Sequence, residues 1–163
     1  MDIFSPEKRR EIMQRVRLRN TAPERAVRSI LHRLGFRFRL HARKLPGKPD
    51  IVLPKYNTVI FVHGCFWHRH VGCPRASTPA SRQEYWLPKF QRTVQRDKEN
   101  RQKIRGLGWN VITVWECELK KPESLTDKLE TLIRHASPHF PVTPLPLAKA
   151  AEKSGKYRTD KKG

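Results

Sequence analysis

Acid is what this chain has least of relative to its other charges. Asp and Glu number 15 against 35 Lys and Arg, a formal net charge of +20 and a pI near 10.7. So large an imbalance exceeds what solubility needs and points to a polyanionic partner, nucleic acid first. Long apolar runs are also missing. No stretch of about 18 consecutive apolar residues occurs, and no apolar segment follows the charged N-terminus, so neither a membrane span nor a secretory leader is expected. A basic membrane-surface protein is the weaker rival. Cysteine is scarce and odd in number, at three residues. That count excludes a fully paired disulfide framework and fits a reduced, cytoplasmic setting. Internal repeats are absent, and 163 residues suit one domain with a real core.

The positive charge is uneven. Residues 1–48 hold 14 Lys/Arg against 4 Asp/Glu, and residues 149–163 hold 6 against 2. Three regions are expected: a basic N-terminal helix or arm over 1–20, a main domain over 21–136, and a Pro- and Lys-rich disordered tail over 137–163. The tail contains Pro138, Pro141, Pro144 and Pro146.

Ser5-Pro6-Glu7 reads as a helix start, with cap, proline and first-turn acid in order. Ile12, Met13 and Val16 give that helix little apolar surface, while Arg9, Arg10, Arg15, Arg17 and Arg19 surround it. Such a segment is either an arm ordered by nucleic acid or a solvated amphipathic helix. Thr21-Ala-Pro-Glu24 predicts a capping box. A helix bearing Val27, Ile30, Leu31 and Leu34 follows it, ended by Gly35 in the left-handed conformation. Phe36–Leu40 alternates apolar and basic residues as a half-buried strand does. Asp50–Leu53 and Thr58–Val62 are the next strands, separated by a turn at Pro54–Asn57. A polar helix over Pro88–Arg105 carries Phe90, Val94 and Ile104 as a thin stripe, and Gly106 and Gly108 end it. Val111–Trp115 is the most strand-like run. Leu125, Leu129, Leu132 and Ile133 mark a last helix. The order α-α-β-β-β-α-β-α predicts an α/β domain with a mixed central sheet flanked by helices.

Chemistry concentrates in YNTVIFVHGCFWHRHVGC, residues 56–73. Cys65-x4-His70-x2-Cys73, with Cys117 at a later strand end, makes a Cys3His donor set suited to closed, structural Zn²⁺. Free buried thiols with surface histidines would leave the same residues. Phe66 and Trp67, adjacent aromatics among basic groups, suit stacking on bases. Asp50 opens a strand one hairpin away from His63 and His68. A carboxylate and imidazoles beside a polyanion site suit Mg²⁺-assisted attack of water on phosphate. Glu24 is explained by the capping box alone, and joins the site only if its helix start faces the strand ends.

The runs Pro-Gly-Lys-Pro-Asp50-Ile-Val, Val-Ile-Phe-Val-His63-Gly-Cys-Phe-Trp-His68-Arg-His70 and Gly-Trp109-x-Val-x-x-Val-Trp-Glu-Cys117 resemble the very-short-patch-repair (Vsr) DNA mismatch endonucleases. Met13 and Thr21–Glu24 fall in the family's order, and the resemblance spans residues 5–135. It implies a fold like that of the PD-(D/E)-x-K restriction nucleases. It also implies nicking of one strand 5′ to the thymine of a T·G mismatch, the product of 5-methylcytosine deamination, in double-stranded DNA.

Residue roles follow from the same resemblance. Asp50 would bind Mg²⁺ with the Val62 main-chain carbonyl, His68 would act as general base, and His63 and Glu24 would support them. Cys65, His70, Cys73 and Cys117 would hold Zn²⁺. Phe66 and Trp67 would wedge into the base stack from one groove, with Met13 approaching from the other. The chain would act as a monomer in the bacterial cytoplasm, with downstream repair proteins as further partners. Two departures stand out. The third strand lacks Glu-x-Lys, and Val62 stands where relatives have Thr. The His70–Cys73 spacing is also one residue longer than in some relatives. A restriction-type endonuclease on matched duplex and a non-catalytic zinc module that binds DNA are the alternatives.

Overall fold

The computed structural model describes residues 5–15 and 19–136. Expectations for Val16, Arg17 and the 137–163 tail lie outside those residues. The elements run α1 (Pro6–Arg15), α2 (Ala22–Arg33), β1 (Arg39–Leu40), β2 (Ile51–Leu53), β3 (Thr58–His63), α3 (Gln83–Gly106), β4 (Asn110–Trp115) and α4 (Pro122–Arg134). The sheet order is β1-β2-β3-β4, antiparallel at the first two pairings and parallel between β3 and β4. The chain is therefore α/β with a mixed four-stranded sheet.

Side-chain alternation divides the core into two layers. Ile51, Leu53, Ile60, Ile112 and Val114 point to one face, where Val27, Ile30 and Leu31 of α2 and Leu125, Leu129 and Ile133 of α4 cover them. Val52, Val59 and Phe61 point to the other, against Ile104 of α3, Trp109 and Leu45. Truncating a core leucine such as Leu129 to Ala should cost about 2–5 kcal/mol. The same parity aims His63 and Trp115, register partners at the ends of β3 and β4, toward α3.

Several local expectations are corrected. β1 is only two residues long because Phe36 is buried in the core before pairing with β2 begins, while Leu40 stays exposed. β2 starts at Ile51, leaving Asp50 just before it, where its carbonyl accepts from the His41 N–H at 3.1 Å. β3 runs on through His63. The long helix starts at Gln83, so Pro88 lies inside it. Proline there forfeits one ladder bond, and burial of Trp86 and Phe90 on the same side of the helix offsets that loss. Val94 and Leu132 turn out exposed.

α2 ends as its glycine predicts. Gly35 has φ +78°, with the Phe36 N–H bonded to the Leu31 carbonyl and the Gly35 N–H to the His32 carbonyl, the paired closure of a Schellman motif. Its start is a half-formed capping box. The Thr21 hydroxyl accepts from the Glu24 N–H at 3.3 Å, but the Glu24 carboxylate accepts from the Asn20 N–H and the Thr21 hydroxyl rather than from the Thr21 N–H.

Candidate active site

The carboxyl ends of β3 and β4 and the start of β2 meet α3 at one end of the sheet, the place where open α/β sheets bind their ligands. Three titratable clusters collect there.

The first is His63, His68 and Asp97. The chain leaves β3, turns at Gly64 and folds back, with the His68 N–H donating to the Gly64 carbonyl at 3.1 Å. The two imidazoles stack at a centroid distance of 3.8 Å with 7° between planes. His68 Nδ1 lies 2.6 Å from an Asp97 carboxylate oxygen. Burial opposes ionisation of Asp97. The hydrogen bond and charge of His68, with His63 and Arg96, outweigh that and hold its carboxyl below the usual range. The Asp97 acceptor favours hydrogen on His68 Nδ1 and so directs Nε2 to the role of proton acceptor. Burial first and then the His68 charge depress His63 to about 3; Asp97 pulls the other way, and Arg101 and Arg96 add smaller depressions, so its ring is neutral. Its Nδ1 is buried without a hydrogen-bond partner among the described residues.

The second cluster is Glu24, His41 and Asp50, whose donor atoms lie within 4.8 Å of one another. One Asp50 oxygen accepts from the Val62 N–H at 2.8 Å, which ties the carboxylate to the β3 backbone. Burial pushes the Asp50 carboxyl up to about 6. Glu24 adds to the rise, while the Val62 N–H, His68 and Arg28 oppose it. A bound cation would relieve that penalty, and two carboxylates make an oxygen-rich donor set for a hard divalent ion. Glu24 is buried and already engaged, by the Asn20 N–H, the Thr21 hydroxyl and Arg28. The start of α2 does face the strand ends.

The third cluster is Cys65, His70, Cys73 and Cys117, again with donor atoms within 4.8 Å. His70 Nδ1 is 3.2 Å from the Cys117 sulfur and 3.8 Å from that of Cys65. A tetrahedral ion with the usual Zn–S and Zn–N bonds separates its ligand atoms by roughly 3.5 Å, so the set fits a closed four-coordinate site. Burial pushes the Cys65 thiol up to about 12, a cost that thiolate ligation would remove. The His70 ring stacks on Trp115 at 4.3 Å. Arg69, in the left-handed region, bonds the Ser77 carbonyl and the Thr78 hydroxyl and lies over the Phe90 ring.

Phe66 and Trp67 lie in the turn between Cys65 and His68, in edge-to-face contact at 5.1 Å. Trp86 and Phe90 of α3 buttress Phe66 at 5.6 and 5.2 Å, and Lys89 Nζ lies over the Trp67 ring. An open cleft of about 450 Å³, lined by Trp67, His68, Lys89, Arg92, Thr93 and Arg96, runs beside this wall. It offers aromatic faces and cations together, the combination that holds nucleic acid. Met13 is exposed on α1.

Sequence reasoning missed Asp97, Arg28, His41 and Trp86. Asp97 had a readable signal. It stands seven residues from both Phe90 and Ile104, so an acid occupies the buried stripe of α3 where the period asks for an apolar side chain.

The chain is similar to known DNA endonucleases. A family model described as DNA mismatch endonuclease Vsr matches residues 1–74. A type II nicking enzyme, V.XorIIP of Xanthomonas oryzae pv. oryzae, is 49% identical over 132 residues, covering 81% of this chain and 96% of that protein. The nicking enzyme V.NmeAIP of Neisseria meningitidis is 42% identical, with 82% and 94% covered. The DNA mismatch endonuclease Vsr of Escherichia coli is 42% identical over 130 residues, with 80% and 83% covered.

Proposed function

The chain belongs to the Vsr family of DNA mismatch endonucleases, and we propose that it nicks one strand of duplex DNA 5′ to the thymine of a T·G mismatch, using Mg²⁺. One observation carries the catalytic half: a carboxylate fixed to the β3 backbone and an Asp97-oriented His68 flank the same strand end. The mixed sheet, with α2 and α4 on one face and α3 on the other, supports a fold like that of the PD-(D/E)-x-K nucleases despite the missing Glu-x-Lys.

Asp50 and the Val62 carbonyl would hold the Mg²⁺, with Glu24 supporting from the start of α2. The bound ion would supply Lewis-acid polarisation of the scissile phosphate. His68 Nε2 takes the proton of the attacking water, while Asp97 fixes the tautomer and stabilises the imidazolium that forms. The neutral ring of His63 holds the His68 plane without adding a competing charge. Cys65, His70, Cys73 and Cys117 would hold Zn²⁺, which stabilises the loop that carries Phe66, Trp67 and His68.

Recognition rests on the aromatic wall. Unstacking a base step costs a few kcal/mol, least at a mismatch, and stacking on an aromatic returns about 1–3 kcal/mol per base. Phe66 and Trp67 can therefore favour a weakly paired T·G step, with Met13 approaching the opposite groove as the N-terminal arm closes on DNA. The basic N-terminal segment and the 137–163 tail add phosphate attraction to a monomer working on DNA in the bacterial cytoplasm.

The test is direct. Matched and T·G-containing duplexes are incubated with the protein and Mg²⁺, and each strand is followed separately. A single nick beside the mismatched thymine is expected. A double-strand break in matched duplex, or binding without cleavage, would refute the proposal.

A further inference from the structure

We infer that the end of the sheet opposite the active site is a second, sequence-independent DNA surface, on which the chain holds a duplex segment other than the one it cuts. The inference goes beyond the nicking reaction and uses none of its residues.

The connectivity builds that end from three pieces. α2 finishes there at Arg33, and Gly35 turns the chain into Phe36 and Arg37. The link between β2 and β3 adds Pro54–Tyr56. α4 starts beyond the carboxyl end of β4 and finishes at Arg134, against Phe36. β3 spans six residues from Thr58 to His63, so this end lies roughly 17 Å from the imidazoles.

Rings fix two cations over it. The Arg134 guanidinium lies 5.2 Å from the Phe36 ring centre, Phe36 meets Tyr56 edge-on at 5.2 Å, and Lys55 Nζ lies 5.7 Å from the Tyr56 ring centre. Phe36 belongs to the core and Tyr56 packs against it, so the row has a rigid base. Arg33 and Arg37 flank Phe36 in sequence and are exposed, as are Lys55 and Arg134.

Counter-charge is scarce. Residues 25–49 hold eight Lys/Arg and no Asp/Glu, and no acid occurs between Asp50 and Glu84. Arg33, Arg37 and Lys55 make no ion pair among the described residues, and Arg134 pairs with Glu130 alone. Uncompensated like charges repel one another, and a polyanion relieves that repulsion. The described chain ends beside this face at Ala136. Residues 149–163, which follow, carry 6 Lys/Arg against 2 Asp/Glu.

Duplex DNA fits this surface better than other anionic partners. α2 and α4 turn their apolar stripes into the core, so neither offers the apolar face with which a helix seats in a membrane. A protein partner needs a desolvated apolar centre. Phosphate contacts need only spaced cations, and they carry no base information. A duplex held here lets the protein engage a new segment before it leaves the old one.

The test is capture of a second duplex. A matched duplex on beads is loaded with zinc-bound full chain without Mg²⁺, washed, and offered a fluorescent duplex of unrelated sequence. Wild type should capture it in proportion to the protein bound. The triple variant Arg37→Gln, Lys55→Gln, Arg134→Gln should capture about ten-fold less, with a salt slope shallower by about 2–3. Its affinity for the tethered duplex should not change. No capture by wild type, or equal capture by the variant, overturns the inference. Capture that rises with the square of bound protein would place the bridge between two copies and overturn it as well. Displacement by polyglutamate but not by unlabelled duplex would assign the surface to an acidic protein instead. Should the triple variant not fold, Lys55→Glu at its exposed turn replaces it, and unchanged capture by that variant overturns the inference. Nicking of T·G duplex is measured on the same preparations, so a chain that bridges without nicking would refute the proposed reaction and leave this surface standing.

Discussion

Asp50→Asn should make the metal-free protein more stable while abolishing nicking. The Asp50 carboxyl is raised from 3.8 to about 6, chiefly by burial. A raised folded-state pKa means that the favourable contribution of the protonated group is complete below about 3.8 and lost as pH rises through about 6. Fully ionised, the group costs about 3 kcal/mol. Asparagine matches the protonated acid in size and neutrality and still offers an oxygen to the Val62 N–H.

At pH 8 without added Mg²⁺ the variant should therefore exceed wild type by about 3 kcal/mol, and at pH 5 by roughly half of that. Urea denaturation of zinc-loaded protein at the two pH values measures both gaps. Mg²⁺ should then stabilise wild type and leave the variant unmoved, because only the native carboxylate gives the ion a reason to prefer the folded state. Equal stability at pH 8, or a gap that ignores pH, would refute the claim that burial strains this carboxylate.

Asp97→Asn leaves an amide 29 residues from His68 in sequence and at hydrogen-bond distance in space; nicking should fall by about 10²–10⁴-fold, with affinity for T·G duplex unchanged in a gel-shift titration. A parallel loss of affinity would reduce Asp97 to a packing role. Cys117→Ser removes one of four donors from a site whose proposed zinc would be worth about 10–16 kcal/mol apparent, comparable with whole-domain stability. The variant should be insoluble or unfolded by circular dichroism, and a folded, active, zinc-free variant would end the zinc reading. Trp67→Ala keeps Asp50 and His68 but removes one wall of the cleft. The ratio of T·G to matched nicking should shrink while metal dependence persists, and an unchanged ratio would take Trp67 out of recognition.

The element order was legible because β2, β3 and β4 are short apolar, β-branched runs bounded by turn residues and α2 and α4 carry apolar stripes. Asp50, His63 and His68 could be suspected from chemistry alone, since charged or imidazole groups at apolar strand ends are costly without a use. What stayed hidden depends on tertiary position. Arg28 is one of many arginines in a basic N-terminal half, and nothing local separates it from the solvated ones. His41 takes a positive φ in a loop, where sequence patterns carry little information. Pro88 argued for a helix start because propensity is local, and only the packing of Trp86 and Phe90 against Phe66 shows why the helix begins a turn earlier.

The proposed zinc donors and the proposed catalytic imidazoles are coupled more tightly than a stabilising knot requires. Cys65 and His70 bracket Phe66, Trp67 and His68, and the His70 N–H closes that loop on the Cys65 carbonyl at 3.1 Å. A continuous series of rings then runs from His70 to Trp115, from Trp115 to His63 and from His63 to His68, at 4.3, 5.4 and 3.8 Å. Trp115 and His63 in that series are fixed by the parallel pairing of β3 with β4. The plane of the proposed base is thus set from one side by Asp97 and from the other by rings that end on a metal donor. Loosening His70 would tilt a stack whose last member must aim Nε2 at a water. His70, a proposed metal donor two residues from His68, would therefore control the rate as well as the fold.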